Sequence, residues 1–75
     1  MLNMANKHPT TIIGYKNRNR QVVERKTDLP GNDYAQRVYV LICGICAYQY
    51  GVNGSDIFQR KCPKCQNGRP GLHFK

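Results

Sequence analysis

Cys43-Gly44-Ile45-Cys46, then fifteen residues, then Cys62-Pro63-Lys64-Cys65: this stretch uses every cysteine in a chain of 75 residues. Four thiolates carried on two short turns match the donor set of a tetrahedral zinc ion. Four sulfur ligands complete the shell and leave no position for a catalytic water, so the spacing predicts one structural zinc ion. The predicted ligands are Cys43, Cys46, Cys62 and Cys65.

The fifteen residues between the pairs must bring the two turns to one place. Asn53-Gly54 is a hairpin signal, because both residue types accept positive φ. It predicts that residues 47–52 go out as one strand and that Asp56-Ile57-Phe58-Gln59-Arg60-Lys61 returns as another, setting Cys62 beside Cys46. Immediately upstream, Arg37-Val38-Tyr39-Val40-Leu41-Ile42-Cys43 is apolar on both alternating faces, the pattern of a central strand covered on both sides. Further out, Thr10-Thr11-Ile12-Ile13-Gly14-Tyr15 is rich in β-branched residues and reads as a strand. Lys16-Asn17-Arg18-Asn19 reads as a turn whose asparagines take the left-handed conformation, and residues 20–26 as the returning strand. Leu29-Pro30-Gly31-Asn32 fits a type II turn.

The expected organisation is a disordered lead-in at 1–9 and one domain at 10–75. Within it lie a hairpin (10–26), a loop (27–36) held in part by Tyr34, the metal-bearing unit (37–65) and an irregular tail (66–75) with Leu72 and Phe74 tucked onto the sheet. No segment has a period of 3.6, so helix is expected to be minor or absent, and the fold class is small all-β.

A chain this short buries too little surface to be stable on a core alone, and such chains are commonly stapled by disulfides or a metal. A structural zinc site supplies about 10–16 kcal/mol of apparent binding energy. Whole domains are stable by about 5–15 kcal/mol, so folding and metal binding are expected to be one event. Disulfides are the competing use of four cysteines. Met1-Leu2-Asn3-Met4-Ala5-Asn6-Lys7 shows no apolar core of a secretion signal, and no run is long and apolar enough to span a membrane. The expectation is a cytoplasmic chain whose thiols stay reduced and bind metal.

Within each knuckle, Pro63 presets φ for the second turn, and Gly44 is read as giving the first turn its backbone freedom. Over residues 37–68 the pattern resembles the zinc-ribbon family, in which two such knuckles on a small β-sheet hold zinc. The resemblance implies a zinc ribbon with an additional N-terminal β-hairpin, and metal-ligand roles for the four cysteines. The chain departs from such knuckles at Ala47 and Gln66, where glycine often follows the second cysteine. It also resembles rubredoxin, whose similar turns hold iron. Rubredoxins are acidic with a longer gap between the pairs, so electron transfer fits poorly; an iron-loaded protein would be red.

Twelve Lys and Arg against four acids give a formal charge of +8. Four thiolates and one zinc ion bring this near +6, which favours an anionic partner. Arg60, Lys61, Lys64 and Arg69 cluster around the second knuckle, while Arg18 and Arg20 sit at the tip of the first hairpin. If the two groups share a face they can follow a phosphate backbone. The plainer alternative is that they offset the dianionic metal-thiolate centre. Tyr48, Tyr50 and Phe58 could stack on unpaired bases, although Tyr48 and Tyr50 share a strand face that in so small a domain is more often core.

Catalysis finds little support: His8 and His73 lie in opposite tails, and the acids Glu24, Asp28, Asp33 and Asp56 never pair. The expectation is a non-enzymatic nucleic-acid-binding module, DNA or RNA, accessory to a larger nucleic-acid-processing system. The rival is a module that docks on an acidic protein, with Leu72 and Phe74 as anchors. Neither a membrane nor a small-molecule substrate is expected.

Overall fold

The computed structural model describes residues 10–31 and 36–74. The expected lead-in at 1–9 and the contribution of Tyr34 lie outside those residues. The fold is a small all-β domain built on one antiparallel sheet: β1 (Gln21–Pro30), β2 (Arg37–Cys43) and β3 (Gln49–Asn53), in the spatial order β1-β2-β3. A short 3₁₀ helix, Gly54–Gln59, is the sole helical element among the described residues. None of their helices is long and apolar enough to cross a membrane.

β2 is central, as its two-faced apolar pattern requires. Val23, Leu41, Tyr50 and Val52 line one face of the sheet, and Ile57 of the 3₁₀ helix closes over them with Tyr15 and Tyr39 at the margin. On the other face, Val38 and Val40 are buried and the tail lies against the sheet. Leu72 N–H donates to Gly51 C=O at 2.7 Å, and the Phe74 ring sits 5.8 Å from the Arg25 guanidinium, itself opposite Val40. Leu72 and Phe74 are thus engaged within the chain, as the tucked tail requires, rather than presented as free anchors.

Three expected elements differ. Residues 10–15 form turns: Tyr15 N–H closes onto Ile12 C=O at 2.9 Å, Gly14 takes φ 94°, and Ile12 and Ile13 are exposed. What remains of the expected hairpin is a short bridge, in which Tyr15 C=O accepts from Val23 N–H at 2.9 Å and Lys16 pairs with Val22. Its left-handed residue is Arg20 (φ 67°), not either asparagine. Residues 27–30, expected as loop, continue β1 as far as Pro30 opposite Arg37. A register shift between Val23 and Arg25 leaves Glu24 as an extra residue, and that bulge erases the alternation a strand would display. Further along, Thr27 Oγ1 donates to Val38 C=O at 2.8 Å and accepts from Leu29 N–H, covering the second shift with a side chain.

The third difference lies after Asn53. This residue is extended (φ −67°, ψ 145°) and begins the 3₁₀ helix, so no tight hairpin forms and residues 56–61 make no strand. Burial of Ile57, fully enclosed, outweighs the local turn preference. The carbonyls at the end of this short helix find their partner in Asn17. Its Nδ2 donates to Ile57 C=O at 2.8 Å and to Arg60 C=O at 3.0 Å, while its Oδ1 accepts from Asn19 N–H and Gln21 N–H. One buried amide thereby joins the N-terminal turn to the segment that leads into Cys62.

Candidate metal centre

β2 ends at Cys43, and the chain turns at once. Ala47 N–H donates to Cys43 C=O at 2.8 Å, and Cys43 N–H donates to Tyr48 C=O at 2.9 Å. Ile45 N–H points at Cys43 Sγ, 3.4 Å away. The second knuckle repeats the device: Lys64 and Cys65 N–H groups point at Cys62 Sγ at 3.3 and 3.4 Å, and Gln66 and Gly68 N–H groups donate to Cys62 C=O. Both turns therefore aim backbone dipoles at the first sulfur, which disperses thiolate charge.

The four Sγ atoms lie within 4.8 Å of one another. Cys43 and Cys65 sulfurs are 3.6 Å apart, as are those of Cys46 and Cys62. A tetrahedron with Zn–S bonds of about 2.3 Å has S···S edges of about 3.8 Å. A disulfide would need about 2.05 Å, and all four cysteines are free. The arrangement can bind a metal ion and is closed on four soft donors. Cys43 and Cys62 are buried, Cys46 is half-buried and Cys65 reaches the surface.

Protonation divides the cluster. Burial pushes the Cys43 thiol up, but the Cys46 N–H, the Gln21 amide and the Ile45 N–H outweigh it and bring its pKa down to about 6. Cys65 is pushed up to about 12, by desolvation and then by hydrogen bonds that its thiol shares with the other three sulfurs. Before metal enters, the site resembles a thiolate at Cys43 with a proton retained at Cys65.

The residues that sequence reasoning missed are amides. Gln21 is wholly buried: its Nε2 lies 3.3 Å from Cys43 Sγ, 2.9 Å from Asn19 C=O and 3.1 Å from Gln66 Oε1. Its Oε1 accepts from the Tyr50 hydroxyl at 2.7 Å. Burial raises the Tyr50 pKa and keeps that hydroxyl a donor, although the Arg60 cation works against it. Gln66 occupies the position where glycine was expected. Its Oε1 accepts from Cys62 N–H at 2.7 Å, and its Nε2 donates to Asn19 C=O at 3.0 Å, so it closes the knuckle with its side chain. The left-handed residue comes one place later, at Asn67 (φ 58°), whereas in the first knuckle Ala47 itself takes φ 66°.

Gly44 is needed for a different reason from the one expected. Its φ is not left-handed; instead its N–H donates to Arg20 C=O at 2.8 Å, and a Cβ would stand 2.9 Å from that same oxygen. The contact brings the N-terminal turn against the first knuckle, and the Asn19–Gln66 bond brings it against the second.

The six basic residues expected to meet nucleic acid divide. Arg18, Arg20, Lys61, Lys64 and Arg69 are exposed. Arg60 is interior: it is 6% exposed, its Nη2 donates to Arg69 C=O at 2.6 Å, and its guanidinium lies 5.2 Å from the Tyr50 ring centroid. It braces the core and the tail, and its Nε has no partner. A groove of about 470 Å³ runs between residues 59–61 and 67–69, lined by Gln59, Arg60, Lys61, Asn67, Gly68 and Arg69. The sole ion pair among the described residues is Arg69 with Asp56, at 3.9 Å. The aromatics divide as well. Tyr50 is core, whereas Tyr48 and Phe58 are 40% and 50% exposed. In comparisons with known proteins, no family model, curated protein or solved structure matches this chain.

Proposed function

We propose that this chain is a zinc-folded module that binds nucleic acid through its phosphates. Cys43, Cys46, Cys62 and Cys65 hold one structural zinc ion, and Arg18, Arg20, Lys61, Lys64 and Arg69 supply the contacts. Zinc is favoured by the four-thiolate donor set, which completes a four-coordinate shell, and by sulfur separations of 3.6 Å in two pairs, close to a tetrahedral edge.

The observation that carries the reading is convergence. Two basic groups about forty residues apart in sequence are bonded to the same two knuckles. Arg20 C=O accepts from Gly44 N–H at the first knuckle, and Asn19 C=O accepts from the Gln66 amide at the second, at 3.0 Å. The zinc–thiolate centre carries −2 and Asp56 pairs with Arg69, so the net positive charge comes from the two basic groups taken together rather than from the second knuckle alone. The Arg69–Asp56 pair is long and its arginine is 71% exposed, so it is readily exchanged for a phosphate.

A titration of oligonucleotide binding against salt tests this directly. Each phosphate neutralised contributes a slope of about −0.7 (single strand) to −0.9 (duplex) in log K against log [salt], so five contacts give about −3.5 or steeper. Lys61→Ala and Arg18→Ala should each flatten the slope by about one contact. A slope near zero for the wild-type chain overturns the proposal.

A further inference from the structure

Tyr48 sits on the surface beside the metal knuckles with its ring held in place. Its ring lies 6.0 Å, centroid to centroid, from that of buried Tyr50, with planes 18° apart. Tyr50 is fixed in turn by its bond to Gln21 and by the Arg60 guanidinium beside it. The Tyr48 backbone is held too, since its carbonyl accepts from Cys43 N–H. The result is a supported aromatic surface with one cation close at hand: Lys64 Nζ is 6.0 Å from the Tyr48 centroid. Phe58 is more exposed, but no ring stacks on it among the described residues.

A rigid aromatic beside an exposed ammonium is what a base of a single strand requires. The base stacks on the ring, and the adjoining phosphate takes the cation that the ring held before. Bases inside a duplex are already stacked on each other and cannot reach it. We infer that Tyr48 is a stacking site for an unpaired nucleobase, with Lys64 as its phosphate contact, and that the module therefore prefers single strands to duplex. This rests on the nucleic-acid reading above and adds to it a defined ligand class.

The test uses zinc-loaded full chain and oligonucleotides carrying a central 2-aminopurine, as single-stranded DNA, single-stranded RNA and duplex DNA. The chain has no Trp, so the probe's emission is read without interference. Wild type should quench the single-stranded probes and bind them more tightly than duplex. Tyr48→Ala should abolish the quench and weaken single-strand binding about tenfold, more than it weakens duplex binding. The salt slope should stay the same, because no phosphate contact is removed. Tyr48→Phe should retain the quench. Tyr48→Leu fills the same space without a π face and serves if the alanine variant fails to take up zinc; it too should lose the quench. Equal quenching of DNA and RNA assigns the base alone, and a preference for RNA adds a contact to the 2′-hydroxyl. Unchanged quench and affinity in Tyr48→Ala or Tyr48→Leu overturn the stacking site. If Lys61→Ala still flattens the salt slope in that case, the phosphate reading survives. Wild-type binding that is absent or insensitive to salt removes both.

Discussion

Replacing Gln21 by leucine removes the amide that ties Cys43, Tyr50 and the second knuckle together, while keeping an apolar group of similar size in the site. Asn19 C=O and Gln66 Oε1 each keep another donor, so they are not orphaned. The Tyr50 hydroxyl, 2% exposed as a residue, loses the partner at 2.7 Å, and the cost of a buried unsatisfied hydroxyl is about 1–3 kcal/mol. Cys43 Sγ loses one N–H donor, a bond to a charged group that contributes about 1.5–3 kcal/mol. Together these predict that the zinc-loaded protein is destabilised by about 2.5–6 kcal/mol. Loss of such a supporting bond should also weaken metal affinity about 10- to 100-fold. Urea unfolding at buffered free zinc reads the first effect, and competition with a chromophoric chelator reads the second.

The sharper reading is a double-mutant cycle with Tyr50→Phe. In the wild type this change leaves Gln21 Oε1 without its donor and destabilises. In the Gln21→Leu background it removes an orphaned hydroxyl and should stabilise by about 1–2 kcal/mol. A Tyr50→Phe effect of the same sign and size in both backgrounds would show that the Gln21–Tyr50 bond does not support the centre. So would a Gln21→Leu variant that holds zinc as tightly as the wild type.

Ala47 occupies a left-handed conformation that favours glycine, at an exposed position. Relief of about 1–2 kcal/mol of strain, less about 0.5–1 kcal/mol of added chain entropy, predicts that Ala47→Gly stabilises by about 0.5–1 kcal/mol, read as a higher thermal midpoint of the zinc-loaded protein. Metal affinity should rise with pH. Between about pH 6 and 12 the free cluster keeps a proton on Cys65 that the bound cluster lacks, so the apparent binding constant gains about tenfold per pH unit for that proton. Below about 6, protonation of Cys43 makes the dependence steeper; isothermal titration in buffers of different ionisation enthalpy counts the protons released.

The four ligands could be read from sequence because thiolate spacing and metal geometry constrain each other directly. β2 was legible because Val38, Val40 and Leu41 declare both of its faces apolar. The far half of β1 was not, since a bulge at Glu24 breaks the alternation and Pro30 at a strand end looks like a turn residue. Asn53-Gly54 misled because its local preference for a hairpin is weaker than the burial of Ile57, which no neighbouring residue announces. The amide network was equally hidden. Gln21, Gln66 and Asn17 reach partners 22 to 47 residues away, and nothing in a glutamine's neighbours signals that it will face a sulfur. Arg60 shows the converse: a basic residue in a basic cluster reads as surface, yet this one is enclosed against Tyr50.

The claim on which the rest depends is that one metal ion organises this fold. Reduced protein stripped of metal by a chelator can be titrated with zinc while amide proton dispersion in an NMR spectrum reports folding. Dispersion should be narrow without metal, grow in proportion to added zinc and stop at one equivalent per chain, with no further change beyond it. A metal-free protein with the full native spectrum, unaltered by zinc, would mean that the sheet and its amide network fold without the ion and that the four sulfurs serve some other end.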